Sequence, residues 1–357
     1  MKINGKSVVT GQIKNFFSYY GWPTVCADEN DVLYAVCSGH RMGHVCPFGK
    51  TLMYKSRNAG KTWSAPTIIE DSYLDDRDAG ILYLGNGRML ATNFVHPFEV
   101  YKKNYKSWIV ESSGKFGYEM LEMWSSLKES DRQGGSFYMI SEDFGETWSE
   151  RKRIPVSCPH GPIKLSDGDI LYIGKEMYSG GEEEPDTINA YISKPENIEF
   201  VKTGSCPKPD GYEWEKFHEP HCVQLESGRI LAVYRSHIDD DGDYFTMYKT
   251  YSDDKGKTWS KPEATGICGS PPHLLKLKDG RIILSYARRA KPYGIYARII
   301  EKDGSFGEDE LLIDKADDSD IGYPASAELK NGEIVTVFYK REISERYTSI
   351  VSVNWSL

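Results

Sequence analysis

Short apolar runs that enter and leave a glycine turn recur along the whole chain. They bracket Asn86-Gly87, Asp167-Gly168, Ser227-Gly228, Asp279-Gly280 and Asn331-Gly332, and an earlier turn at Asp28-Glu29-Asn30-Asp31 completes the set. Polar-glycine pairs between strand-like runs are hairpin signals, because glycine, asparagine and aspartate tolerate the positive φ of tight turns. Hairpins repeating roughly every fifty to eighty residues predict an all-β, six-bladed β-propeller, each blade a four-stranded antiparallel sheet around a central channel. Residues 1–357 are expected to form it as a single domain. The pattern breaks over 100–132, where Tyr105, Trp108, Tyr118, Leu121, Met123 and Trp124 stand among charges. That stretch predicts a partly helical insertion, either a lid or a packed excursion.

A second repeat overlies the first. Ser56-Arg57-Asn58-Ala59-Gly60-Lys61-Thr62-Trp63, Ser141-Glu142-Asp143-Phe144-Gly145-Glu146-Thr147-Trp148 and Ser252-Asp253-Asp254-Lys255-Gly256-Lys257-Thr258-Trp259 share the pattern Ser-x-Asp/Asn-x-Gly-x-Thr-Trp. The Asp/Asn side chain can bond backbone amides, Gly supplies a positive φ, and Trp packs the turn onto the sheet. Each copy is a structural staple, expected on the later hairpin of a blade and on the rim away from any ligand, so neither Asp143 nor Asp253 is expected to be catalytic. A degraded fourth copy lies at Asp303-Gly304-Ser305-Phe306-Gly307. The motif resembles the Asp-box of the sialidase superfamily, whose BNR-repeat members are six-bladed propeller glycoside hydrolases.

Composition narrows the partners. A formal net charge of −9 argues against a nucleic-acid groove, while 24 tyrosines and 8 tryptophans suit strands and sugar-stacking surfaces. Seven cysteines, without a Cys-x-x-Cys pair, point away from a zinc site or a full disulfide framework and toward reduced thiols. No signal-like apolar core follows Met1 and no stretch is long enough to cross a bilayer, so a cytoplasmic location is expected, with secretion if a signal was trimmed. No His-x-His pair suggests a metal, and neither a metal nor a cofactor is expected. The expected partner is a glycan; the oligomeric state is left open. The acidic runs at 182–184 and 239–241 read as solvated loops.

Residues next to the hairpin strands converge on one mouth of a propeller channel. The polar set there is His40, Arg41 and His44 from blade one; Asp75, Asp76, Arg77 and Asp78 from blade two; and His160 and Glu176 from blade three. Blade four adds His218, Glu219, His221, Arg235 and His237, blade five Arg288 and Arg289, and blade six Asp320 and Tyr323. Arg288 and Arg289 alternate faces, so one points inward, and Arg288 is the expected one. A buried strand arginine such as Arg235 needs an anion.

The resemblance to sialidases extends to these residues. His218-Glu219-Pro220-His221 followed by Tyr234-Arg235-Ser236 is similar to the family's Glu and Arg, Ala287-Arg288-Arg289 to a further carboxylate-binding Arg, and Gly322-Tyr323-Pro324 to the segment carrying the Tyr nucleophile. The resemblance implies exo-acting, retaining hydrolysis of a terminal, sialic-acid-like sugar, with Tyr323 as nucleophile and Glu219 as its base. A phenol avoids the like-charge repulsion that a carboxylate nucleophile meets at a sugar bearing a carboxylate on its anomeric carbon. Planar guanidiniums suit the carboxylate itself. The N-terminal half departs from the pattern: Tyr20-Gly21-Trp22-Pro23 has Gly21 where the family's first Arg belongs, and the 41–50 loop lacks the acid/base Asp. Arg41 or Arg77 could supply the arginine, and Asp76, Asp78 or His44 the proton, with His160 and His237 as wall residues. The alternatives are a neutral-sugar exo-glycosidase of the exo-arabinanase kind, favoured by the missing Arg, and a non-catalytic carbohydrate-binding propeller, favoured by the missing Asp.

Overall fold

The computed structural model describes residues 1–11, 15–177, 187–238, 245–341 and 347–357. Six antiparallel sheets stand around one axis. Their innermost strands are Tyr19–Ala27, Asp76–Gly85, Ile163–Lys164 with Val156–Ser157, Phe217–Gln224, Ser270–Lys276 and Ile321–Glu328, in blades one to six. The sequence hairpins join each inner strand to the second strand of its blade, as the turn chemistry predicts. Blade six is completed by the start of the chain: Lys2–Thr10 pairs with Thr348–Ser356 as its outermost strand.

The two faces of a blade pack on different neighbours, because side chains alternate along a strand. In the second strand of blade one, Leu33, Ala35 and Cys37 join a core with Ala325, Val335 and Val337 of blade six. Tyr34 and Val36 instead join Ile81, Met89 and Ala91 of blade two. All seven cysteines are free. No helix among the described residues is long and apolar enough to cross a membrane.

The eight-residue repeats connect the third and fourth strands of blades one, two and four. In each, the Ser hydroxyl accepts from the Gly amide (2.8–2.9 Å) and the third-position side chain accepts from the Thr amide (2.8–3.0 Å). In the last copy Asp254 takes that place, and Asp253 lies 3.2 Å from Arg229 instead. The segment at 303–307 lacks this network and forms a simpler turn, in which Asp303 accepts from the Ser305 amide at 2.9 Å. Strands alternate direction, so these turns share the rim with the inner hairpins: the Phe144 amide bonds Gly87 O at 2.7 Å. The opposite rim carries the candidate site.

The insertion is helical: α1, Phe98–Trp124, kinked at Gly114, and α2, Glu129–Arg132. It is packed rather than free. Phe98, Tyr101, Ile109 and Leu121 are buried against blade two, and Ser113 donates to Val45 O at 2.7 Å, bracing the loop that carries His44. Nothing is described for the Tyr105 side chain, and the acidic runs at 182–184 and 239–241 lie outside the described residues.

Candidate functional site

An irregularity shared by the inner strands aims the site residues. Register shifts fall at Gly21/Thr24, Arg77/Gly80, His218/His221, Ser270/His273 and Gly322/Ala325. Within four of these bulges Trp22, Asp78, Glu219 and Tyr323 have φ of 53°, 49°, 51° and 55°. A bulge re-aims a side chain, and a positive φ in a non-glycine residue costs on the order of 1–3 kcal/mol, so four at one mouth of the channel mark a site that packing alone does not need.

Tyr323 and Glu219 meet there across the channel. The Tyr323 hydroxyl donates to Glu219 Oε1, and Arg235 Nη1 donates to Glu219 Oε2 at 2.8 Å. Burial alone would raise the carboxyl, but Arg235 and the phenol bond hold Glu219 below the usual glutamate range. Burial, then the Glu219 and Asp78 charges, pushes the Tyr323 phenol well above its ordinary value. Its ring meets Trp22 edge-on, with centroids 6.3 Å apart.

Three guanidiniums surround this pair. Arg235 lies over Phe245 at 4.1 Å, and Arg289 lies 5.6 Å from the Tyr323 ring centroid while donating to Tyr339 Oη at 2.9 Å and Ile321 O at 2.8 Å. Arg77 stacks on Trp22 at 4.1 Å. Trp22 thus fills the corner beside Gly21, with a guanidinium held over its ring rather than one projecting from the strand. A cavity of about 430 Å³ opens beside Arg289, lined also by His44, His237, Phe245 and Asp320.

Arg289, not Arg288, faces the site. Arg288 shares a face with Tyr286, lies 4.4 Å over Tyr296, and is paired to Glu310. Parity told the two arginines apart, but the face Arg288 occupies looks between blades, whereas Arg289 leaves the strand end and turns to the axis. Arg41 is also displaced from its expected role: it is fully buried and held by Asp75, by Ser38 Oγ at 2.9 Å and by His44 O at 3.0 Å. Its partner Asp75, which also accepts from Tyr101 at 2.9 Å, makes it a brace beneath the pocket.

The two candidate acids of blade two separate. Asp76 turns to Ser72, accepting from its amide at 2.9 Å and its hydroxyl at 2.6 Å, and so points away from Tyr323. Asp78, turned by its bulge, is buried, and its Oδ1, 4.0 Å from Arg77 Nε, has no hydrogen-bond partner among the described residues. Burial pushes its carboxyl up to about 7; Arg77 opposes this and the Glu219 charge reinforces it. His44 bonds Tyr19 Oη at 2.7 Å and lies 3.8 Å from Asp320, with burial lowering its basicity. His237 lies against Phe245 at the pocket mouth. His160 sits deeper in the channel, beneath Tyr323, with ring centroids 6.3 Å apart.

Other polar candidates stand outside the pocket. His40 is an exposed residue against Tyr20, Glu176 is bound to Asn189 at 2.5 Å, and His218 lies 3.2 Å from Lys175 Nζ. Trp22, Phe245, His273 and Tyr339 were not expected. A signal for the first was present, since Trp22-Pro23, Glu219-Pro220 and Tyr323-Pro324 each place proline after the bulged residue, where a donor is lost from the ladder.

The description BNR repeat-like domain matches residues 120–336, more than half of the chain. The chain belongs to this BNR repeat-like family. A sialidase from Micromonospora viridifaciens is 23% identical over a 204-residue alignment that covers 49% of this chain and 31% of that protein, so the match spans about a third of the length of this curated relative. A Dyadobacter fermentans protein of unknown function superposes with a TM-score of 0.76 at 19% identity, covering 99% of this chain and 98% of that one. NanB sialidase from Streptococcus pneumoniae gives 0.69 at 14% identity over 99% of this chain and 71% of that one. A leech intramolecular trans-sialidase gives 0.69 at 14%, over 98% and 70%. The BNR-repeat chain therefore has the sialidase-like six-bladed fold.

Proposed function

We propose that this BNR-repeat propeller is an exo-acting, retaining glycoside hydrolase for a terminal anionic sugar of the sialic-acid type, with Tyr323 as nucleophile. The observation that carries the reading is the Tyr323–Glu219 hydrogen bond amid Arg235, Arg289 and Arg77. Glu219, kept ionised, takes the phenol proton as the phenolate oxygen attacks the anomeric carbon. Asp78, protonated near neutrality, gives its proton to the departing glycosidic oxygen. A water molecule then attacks the same carbon, Asp78 takes a proton from it, and the carbon–Tyr323 bond breaks with the phenol reprotonated by Glu219. Arg289 and Arg235 are suited to the sugar carboxylate, with Arg77 in the corner where Gly21 leaves no arginine. Three guanidiniums favour an anionic over a neutral sugar.

Release from a fluorogenic panel of terminal sugars tests this. Sialosides are expected to turn over, and Tyr323→Phe or Glu219→Gln to lower kcat by about a hundredfold or more while ligand binding persists. Absence of release from every sugar at any pH, with Tyr323→Phe binding ligand like the wild type, overturns catalysis.

A further inference from the structure

Behind the Tyr323 pocket the channel continues as a separate cavity of about 580 Å³. Its walls come from inner-strand residues that follow the bulges, such as Val25, Val223, Leu275 and Ala327, so it opens on the rim of the inner hairpins. Its floor is three imidazoles: His221 and His273 stacked at 4.8 Å, with His160 edge-on to them at 5.7 and 5.0 Å. All three are buried, and none belongs to the proposed reaction.

We infer that this channel is a second binding site, for a small polyhydroxylated ligand, on the face opposite the Tyr323 pocket. The protons on the three rings decide the ligand class. The Leu274 amide donates to His221 Nδ1 at 3.0 Å and the Ser326 amide to His273 Nδ1 at 3.3 Å, so in both neutral rings the proton sits on Nε2. With the Thr24 hydroxyl proton placed on Pro159 O at 3.1 Å, His160 Nδ1 is the donor to Thr24 Oγ1 at 3.1 Å, and this is the tautomer the site requires. His160 Nε2 is left as a bare lone pair, buried and without a partner among the described residues.

The floor thus offers two N–H donors and one lone pair. A metal ion meets the protons of His221 and His273; an anion meets the lone pair of His160. A hydroxyl both donates and accepts, and satisfies all three. Burial lowers the basicity of every ring, which keeps them neutral and preserves this pattern. Apolar walls suit the C–H face of a sugar ring, and Gln224 and Ser166 at the mouth suit its remaining hydroxyls. The volume falls within the range of about 300–1,000 Å³ usual for small-molecule sites.

Long-range imidazole NMR of the histidine-labelled full chain, titrated with free galactose as the probe, tests this. The ligand-free protein is expected to show His221 and His273 protonated on Nε2 and His160 on Nδ1. Galactose is expected to shift the three Nε2 signals with a saturating midpoint of about 1–100 mM. Ala327→Trp, which fills the channel, should raise that midpoint at least about tenfold, a loss of about 1.4 kcal/mol. A different tautomer pattern, or drift without saturation to about 100 mM, overturns the site. If Ala327→Trp does not fold, wild-type crystals soaked in galactose give the same reading: sugar density between the three Nε2 atoms supports the site, and a lone water overturns it.

Discussion

Asp78 and Glu219 bring two like charges into one buried site, and only one can ionise easily. Burial first, then Glu219, pushes Asp78 up to about 7 against the pull of Arg77, whereas Arg235 and Tyr323 outweigh burial to hold Glu219 low. With Asp78 as acid, kcat is expected to fall as pH rises through about 7, and Asp78→Asn to abolish that limb in a pH–rate profile. The same group couples to stability. Between 3.8 and about 7 the folded state holds a proton that the unfolded chain has released, so its contribution is full at low pH and is lost as pH rises through about 7. Chemical denaturation of Asp78→Asn across that window should show a flatter profile. The arginines give a second contrast: Arg289→Ala should raise KM for an anionic substrate by about ten- to a hundredfold, from the loss of charge-assisted bonds, while Arg288→Ala leaves KM near wild type. Tyr323, Glu219 and Arg235 were legible in sequence because each sits in a motif. The choice between Arg288 and Arg289 was not, because parity says which residues share a face but not which face looks at the axis.

At the level of elements, inner strands and staples do opposite work with the same alphabet. The Ser-x-Asp-x-Gly-x-Thr-Trp turns satisfy their own amides locally, so eight residues suffice to recognise them. The bulges depend on a register between strands and on neighbouring blades, which no short window contains. Proline after Trp22, Glu219 and Tyr323 is the trace they leave in the sequence, and Asp78-Ala79 leaves none. Close approach at the axis adds a further constraint. A Cβ at Gly80 would lie 2.5 Å from the Gly161 amide nitrogen and 2.5 Å from Thr92 Oγ1, so blades two and three meet there backbone to backbone. Gly80→Val is expected to destabilise by about 1–3 kcal/mol through overpacking, read as a lower denaturant midpoint with unchanged slope. The helices lay beyond sequence reading in their role: their mixed composition predicted an insertion, but the bond from Ser113 to the loop bearing His44 exists only in the folded chain.

Across the whole molecule, six repeats made the architecture the most legible property, since each hairpin repeats the same evidence of a blade. What the repeats did not reveal is that blade six joins the two ends of the chain, with Lys6 paired to Val353 and Val8 to Val351. Removing residues 1–10 leaves Thr348–Ser356 as an open edge and should lower the melting temperature and give concentration-dependent association in light scattering, both reversed by adding the missing segment as a peptide. The join also sets a timetable. Lys2–Thr10 is made long before its partner Thr348–Ser356, so the ring cannot lock until that later strand has emerged, and the earlier one stays unpaired while all the blades between are synthesised.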